Sequence, residues 1–123
     1  VCTGGEPLLQ LDDPLLDALH EAECIVAIET NGTIKAPPDV DWICVSPKPK
    51  TEIVQQSGNE LKFIYPQKDF EPEPFLEMQF DHFYLQPMDG PNLKDNTLQC
   101  VQYCMEHPEW KLSLQSHKIL GIP

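Results

Sequence analysis

Thr3-Gly4-Gly5-Glu6-Pro7 sets two adjacent glycines and a carboxylate directly behind the apolar Val1-Cys2 and ahead of a leucine-rich helical stretch. Neighbouring glycines at a strand-to-helix junction permit positive φ and carry no Cβ. A small polar ligand can therefore lie against bare backbone N–H and C=O groups. Glu6 supplies an anion, so a free α-amino group can be held jointly by that carboxylate and the turn carbonyls through charge-assisted hydrogen bonds. Pro7 stiffens the exit. A Gly-Gly pair is also an ordinary loop between core elements, and its meaning depends on what accompanies it. Here it is accompanied by Glu29-Thr30-Asn31, Ser46-Pro47-Lys48, Gln86 and Gln115-Ser116-His117, which offer a carboxylate, hydroxyls, an ammonium, carboxamides and an imidazole.

The elements that must position these groups follow from periodicity and breakers. Leu8, Leu11, Leu15 and Leu19 repeat at helical spacing, Asp12 or Asp13 can cap, and Pro14 suits a first turn, which predicts a helix from Leu8 to Ala22. Cys24–Ile28 is a continuous apolar run stopped by Asn31-Gly32 and predicts a buried parallel strand. Trp42–Val45 predicts a second, Leu61–Tyr65 a third halted by Pro66, His82–Leu85 a fourth and Trp110–Leu114 a fifth. Phe75–Phe80 reads as a short helix after the proline-broken loop Asp69–Pro74. Leu93–His107 reads as a longer helix with Asn92 as its cap, Leu98, Val101 and Met105 as its apolar face, and Pro108 at its close. In parallel α/β barrels and open α/β sheets, ligands collect at the carboxyl ends of the strands. Every predicted strand but one ends here in groups able to bind, with Tyr65 the weakest case. Loops are polar in any case; the repetition at one topological end is what points to a single site.

The chain has 123 residues, 41% of them hydrophobic, enough for one compact domain or part of one. Val1-Cys2 reads as the end of an apolar run, so a fragment is expected. No stretch approaches the roughly 18 uninterrupted apolar residues of a membrane span, and no charged-then-apolar leader opens the chain; the expectation is a soluble, cytoplasmic protein. Twenty acidic residues against eight basic ones give a net charge of −12, which repels nucleic acid phosphates and anionic lipid. Lys35, Lys48 and Lys50 form the only loose cationic cluster, suited to a solvated loop or to one small anionic group. Five cysteines, at Cys2, Cys24, Cys44, Cys100 and Cys104, read as reduced core thiols. The helical pair Cys100 and Cys104 lacks partners at metal-ligand spacing and reads as packing.

Taken together, Thr3-Gly4-Gly5-Glu6-Pro7, Glu29-Thr30-Asn31-Gly32-Thr33, Cys44-Val45-Ser46-Pro47-Lys48, Leu85-Gln86-Pro87 and Leu114-Gln115-Ser116-His117-Lys118 resemble, in order and spacing, the 7-carboxy-7-deazaguanine synthase family of radical S-adenosylmethionine (radical SAM) enzymes. The resemblance covers essentially the whole chain. Gly-Gly-Glu-Pro is shared across that superfamily, whereas the Gln-Ser-His-Lys ending is more selective. It implies an α/β fold, the carboxyl-terminal part of a single parallel (β/α) barrel domain of the radical SAM type. It also implies ring contraction of 6-carboxy-5,6,7,8-tetrahydropterin to a 7-carboxy-7-deazapurine with loss of ammonia. S-adenosylmethionine, a 4Fe-4S cluster and Mg2+ would be the cofactors, a reduced flavodoxin-type protein the electron donor, and a homodimer the assembly.

Residue by residue, the resemblance assigns Gly4, Gly5 and Glu6 to the amino group of S-adenosylmethionine, Ser46 and Lys48 to its carboxylate and ribose, and Gln86, with Pro87 and Met88, to its adenosine. Thr3, Glu29 and His117 fall on the pterin side, and the terminal carboxylate of Pro123 closes over the substrate. The family's cluster cysteines and magnesium ligand lie in the amino-terminal part of the barrel and are absent from this chain. Two other functions compete: a glycyl-radical activase, which shares the Gly-Gly-Glu turn but acts on a protein, and a non-catalytic module that holds a nucleotide-like ligand.

Overall fold

The structure, a computed structural model, describes residues 1–122. Five parallel strands form one sheet whose spatial order follows chain order, β1 (Ala27–Thr30), β2 (Trp42–Val45), β3 (Ser57–Tyr65), β4 (Gln79–Pro87) and β5 (Trp110–Leu112). Cys2 adds a parallel bridge to Ile28 beyond β1. Parallel neighbours require crossovers. Helix α2 (Leu93–Glu106) makes the β4–β5 crossover, while the β3–β4 connection carries a 3-10 turn, Glu73–Glu77. Helix α1 (Asp13–Glu21) precedes the sheet and a short α3 (Ser116–Leu120) follows it.

Strand alternation sorts the two faces of the sheet. Leu61, Phe63 and Leu85 are buried together with Val45, Cys100, Tyr103 and Trp110, and the aromatic rings of Phe63, Phe70 and Phe75 pack edge and face against one another. The intervening residues Lys62, Ile64 and Gln86 point to the other side. Register sets Lys62 beside Tyr84 and Ile64 beside Gln86. A second cluster of Leu11, Leu16, Val26, Ile28, Ala36 and Val40 seats α1.

Several elements differ from the sequence expectation, each for a local reason. The helix predicted from Leu8 begins only at Asp13. Asp12 Oδ1 accepts the Leu15 N–H at 3.0 Å and Pro14 follows, which fixes the start there, and Leu8 belongs instead to a separate 3-10 turn, Pro7–Leu9. The strand predicted at Cys24–Ile28 starts at Ala27. The Val26 N–H is taken by Asp41 Oδ2 at 2.7 Å, and Ile25 is solvent-facing at 84% exposure. Asn92 stands at the start of α2 without a side-chain capping bond. The predicted apolar face of α2 is the outer one: Leu98, Val101 and Met105 are exposed, and Cys100 and Tyr103 are buried. The helix predicted at Phe75–Phe80 is the 3-10 turn Glu73–Glu77, and β4 begins earlier than expected. The strand predicted to Leu114 ends at Leu112, and α3 was not anticipated.

The cysteines are not uniformly core thiols. Cys44 and Cys100 are buried, Cys2 and Cys104 half-buried, and Cys24 exposed. Burial pushes the Cys44 and Cys100 thiols up to about 12, because the charged thiolate loses hydration there. Their pKa values are raised above the ordinary 9.0, so the stability gained by keeping them neutral is complete below 9.0 and is lost as pH climbs through about 12. Maleimide labelling of the native protein at mildly alkaline pH is expected to modify Cys24 and spare Cys44 and Cys100 until unfolding. Mass spectrometry of digests checks this, and native labelling of Cys44 as fast as Cys24 would contradict its placement.

Candidate functional site

The carboxyl ends of the strands open on one cavity of about 630 Å³, within the range of small-ligand sites. Its first wall is the Gly4-Gly5 turn, where both glycines adopt positive φ, +79° and +45°. A Cβ built on either meets nothing within 4 Å, so this backbone faces open space. β1 brings Glu29, Thr30 and Asn31 to the same rim, the loop after β2 brings Ser46 and Lys48, and β4 brings Gln86. The segment after β5 adds Ser113, Leu114, Gln115 and His117. Eight predicted residues therefore share one cavity, Thr3, Gly4, Gly5, Glu29, Ser46, Lys48, Gln86 and His117. Pro123 lies outside the described residues. Pro87 faces a separate apolar groove with Leu93 and Ile119.

Glu6 is placed differently from the expectation that it grips a ligand amine. It does not line the cavity. Its Oε1 accepts the Thr30 hydroxyl at 2.7 Å and the Leu8 N–H at 3.1 Å, and its Oε2 accepts the Asn31 N–H at 2.8 Å. Thr30 Oγ1 accepts in turn from Gly32 N–H at 3.1 Å. Three donors already engage this carboxylate, which ties the glycine turn to the end of β1.

Charge in the cavity is concentrated in three side chains. The Lys62 ammonium donates to Glu29 Oε1 at 2.8 Å, and the Lys48 ammonium donates to Ser46 Oγ at 2.9 Å. Although Lys48 is exposed overall, partial desolvation of its ammonium, followed by the neighbouring Lys62 charge, holds its pKa below the ordinary lysine value. An arriving anion would relieve both effects. The two ammoniums and the amide and hydroxyl donors around them suit a zwitterionic or carboxylate-bearing ligand in an otherwise acidic chain.

Lys62, Ser113 and Ile64 are cavity residues that sequence reasoning missed. A signal for Lys62 was present: it interrupts Leu61 and Phe63 in strict alternation, which marks it as belonging to the opposite face. Among the described residues no group of three or more His, Cys, Asp or Glu side chains is arranged to hold a metal ion, and no helix is long and apolar enough to cross a membrane.

No family model matches the chain. It is similar to the 7-carboxy-7-deazaguanine synthase of Bordetella pertussis, 58% identical over 123 residues that make up 100% of this chain and 59% of that protein. The 7-carboxy-7-deazaguanine synthase of Caulobacter vibrioides is likewise 58% identical over 100% of this chain and 59% of its own length. That of a Synechocystis strain is 33% identical over 99% of this chain and 61% of its own length. The chain spans about 59% of the length of the first two relatives. Along its whole length, the chain is similar to the 7-carboxy-7-deazaguanine synthases.

Proposed function

We propose that the complete protein carrying this chain is a radical SAM enzyme. It contracts 6-carboxy-5,6,7,8-tetrahydropterin to 7-carboxy-7-deazaguanine with loss of ammonia, and this chain forms the carboxyl-terminal part of its barrel. The observation that carries the proposal is the gathering of Thr3, the Gly4-Gly5 turn, Glu29, Ser46, Lys48, Gln86 and His117 around one cavity. The strand order, in which each strand neighbours the next in the chain, is the order a barrel wall requires.

The residues present fit S-adenosylmethionine. The open faces of Gly4 and Gly5 leave room for its methionine backbone, Lys48 and Ser46 would meet its carboxylate and ribose, and Gln86 would lie against its adenosine. On the substrate side, Glu29 offers a carboxylate to ring N–H and amino donors, Thr3 a hydroxyl, and His117 a donor or acceptor. Lys62 keeps Glu29 paired when no ligand is present, which limits the cost of holding a charge at a half-buried wall. When bound, S-adenosylmethionine and a reduced 4Fe-4S cluster supply hydrogen-atom abstraction, while the chain's residues bind, orient and screen the ligands from water. The described residues do not fit the cluster, since Cys44 and Cys100 sit in the core. Its thiolates and the Mg2+ ligand belong, on this proposal, to the part of the relatives' length that this chain does not span. A homodimer, a reduced flavodoxin-type donor and a cytoplasmic location complete the proposal.

The test is anaerobic reconstitution of the complete protein with iron and sulfide, followed by reduction and addition of S-adenosylmethionine with or without carboxytetrahydropterin. Cleavage to 5′-deoxyadenosine and formation of the deazapurine are expected. Cleavage with no product from the pterin would favour an activase acting on a protein, and no cleavage at all would favour a non-catalytic binder.

A further inference from the structure

We propose that Lys62 determines substrate specificity in this cavity. With Glu29 it presents a donor beside an acceptor that selects a heterocycle carrying a ring carbonyl next to a ring N–H, a role that rests on the pterin-type substrate proposed above. β1 and β3 are separated by β2. Glu29 is in register with Cys44, and Cys44 with Glu60. Lys62 stands two residues beyond Glu60 on the same face, one step nearer the carboxyl ends, and reaches across β2 to meet Glu29 at 2.8 Å. The other charged groups nearby are committed elsewhere: Glu60 accepts the Trp42 indole N–H at 3.3 Å, and Lys48 donates to Ser46. The thiol of Cys44 between them is neutral at physiological pH.

The pair is incompletely satisfied in a way that faces the cavity. An ammonium has three donors, and among the described residues Lys62 makes one hydrogen bond, to Glu29 Oε1. Glu29 Oε2 accepts none among those residues. The Lys62 side chain is only 17% exposed against 42% for Glu29, so its free donors are only partly served by water. Unmet donors at a half-buried wall are costly, and a ligand acceptor would remove that cost. A cyclic amide offers the matching edge, its carbonyl oxygen to Lys62 and its adjacent N–H to Glu29 Oε2. Replacing that carbonyl by an amino group sets donor against donor at Lys62 and strips the adjacent ring nitrogen of its hydrogen, leaving acceptor against acceptor at Glu29, a double mismatch a site built for hydrogen bonding rejects strongly. A purely structural ion pair would make no such distinction.

The experiment uses the complete, cluster-reconstituted protein saturated with S-adenosylmethionine, and two probes: 6-carboxypterin and its counterpart with the ring carbonyl replaced by an amino group. Wild type is expected to prefer the oxo compound by about tenfold or more, and Lys62→Met to cut that preference by about threefold or more by weakening the oxo compound, the remainder coming from Glu29. Lys62→Arg, which restores a cationic donor, should recover most of it, with S-adenosylmethionine affinity in Lys62→Met within about threefold of wild type. Should Lys62→Met not fold, Lys62→Gln, too short to span β2 to Glu29, is read by the same criterion. A Lys62→Met protein that keeps the wild-type preference overturns the role of Lys62 alone. A wild type that cleaves S-adenosylmethionine but binds neither pterin overturns this role together with the proposed substrate.

Discussion

Glu6→Ala is expected to destabilise the protein by about 2–4 kcal/mol, because it removes the acceptor of three hydrogen bonds, two of them from backbone N–H groups. The loss is larger than for a surface carboxylate. Thr30 is buried, at 2% exposure, and its hydroxyl would have to find a new partner. Glu6→Gln should be milder, since a carboxamide oxygen can still accept from Thr30 and Leu8. Its NH2 would then oppose the Asn31 N–H that Oε2 now accepts. Affinity for S-adenosylmethionine should fall in both variants in parallel with stability, because the turn that carries Gly4 and Gly5 is released from the end of β1. Thermal unfolding and calorimetric titration of the same samples check this. A Glu6→Ala protein that melts like wild type yet loses the cofactor would mean that Glu6 touches the ligand directly, as the sequence alone suggests.

The second large effect is at Gly32, for steric rather than electrostatic reasons. Gly32 has φ +81°, and a Cβ there would lie 2.8 Å from Val45 Cγ1 and 3.3 Å from Ile53 Cγ2. Val45 is fully buried in the main core and cannot yield. The backbone is pinned as well, since Gly32 C=O accepts from the Val54 and Gln55 N–H groups at 2.8 and 3.0 Å. Backbone strain and overpacking together make Gly32→Ala cost about 2–4 kcal/mol, measurable by chemical denaturation. Gly4 provides the control: its φ is also positive, but its Cβ would meet nothing. Gly4→Ala should cost only the backbone strain, about 1–2 kcal/mol, and disturb the cavity rim rather than the core. Equal destabilisation by the two substitutions would contradict the close packing around Gly32.

Much of this architecture is legible in the residues, and the failures share physical causes. Trp42–Val45 is found where expected because four apolar residues between breakers leave no other register. Asp12 and Pro14 mark the start of α1 correctly, but the leucine periodicity before them belongs to a 3-10 turn whose spacing imitates a helix over so short a stretch. In α2, choosing the face by hydrophobicity fails because the interior takes Cys100 and Tyr103 and leaves Leu98 and Met105 in solvent; tertiary contacts, not composition, set that orientation. At the cavity, Thr3, Glu29, Ser46, Lys48, Gln86 and His117 are recognisable because each follows or ends a strand. Lys62 lies inside a strand and escapes that rule. Glu6 is found by the same motif but does different work, since a sequence pattern cannot say whether a carboxylate faces a ligand or its own backbone.

One cavity is proposed to hold two ligands side by side, with Lys48 serving the cofactor and Glu29, bonded to the neighbouring Lys62, the substrate. The most direct measurement is calorimetric titration of the complete protein and its Lys48→Met and Glu29→Gln variants, first with S-adenosylmethionine and then, at saturation, with 6-carboxypterin. Lys48→Met should weaken the first ligand by about tenfold or more, while Glu29→Gln should leave it within about threefold and weaken the second by about tenfold or more. Equal loss of S-adenosylmethionine binding in both variants, or pterin binding untouched by Glu29→Gln, would contradict it.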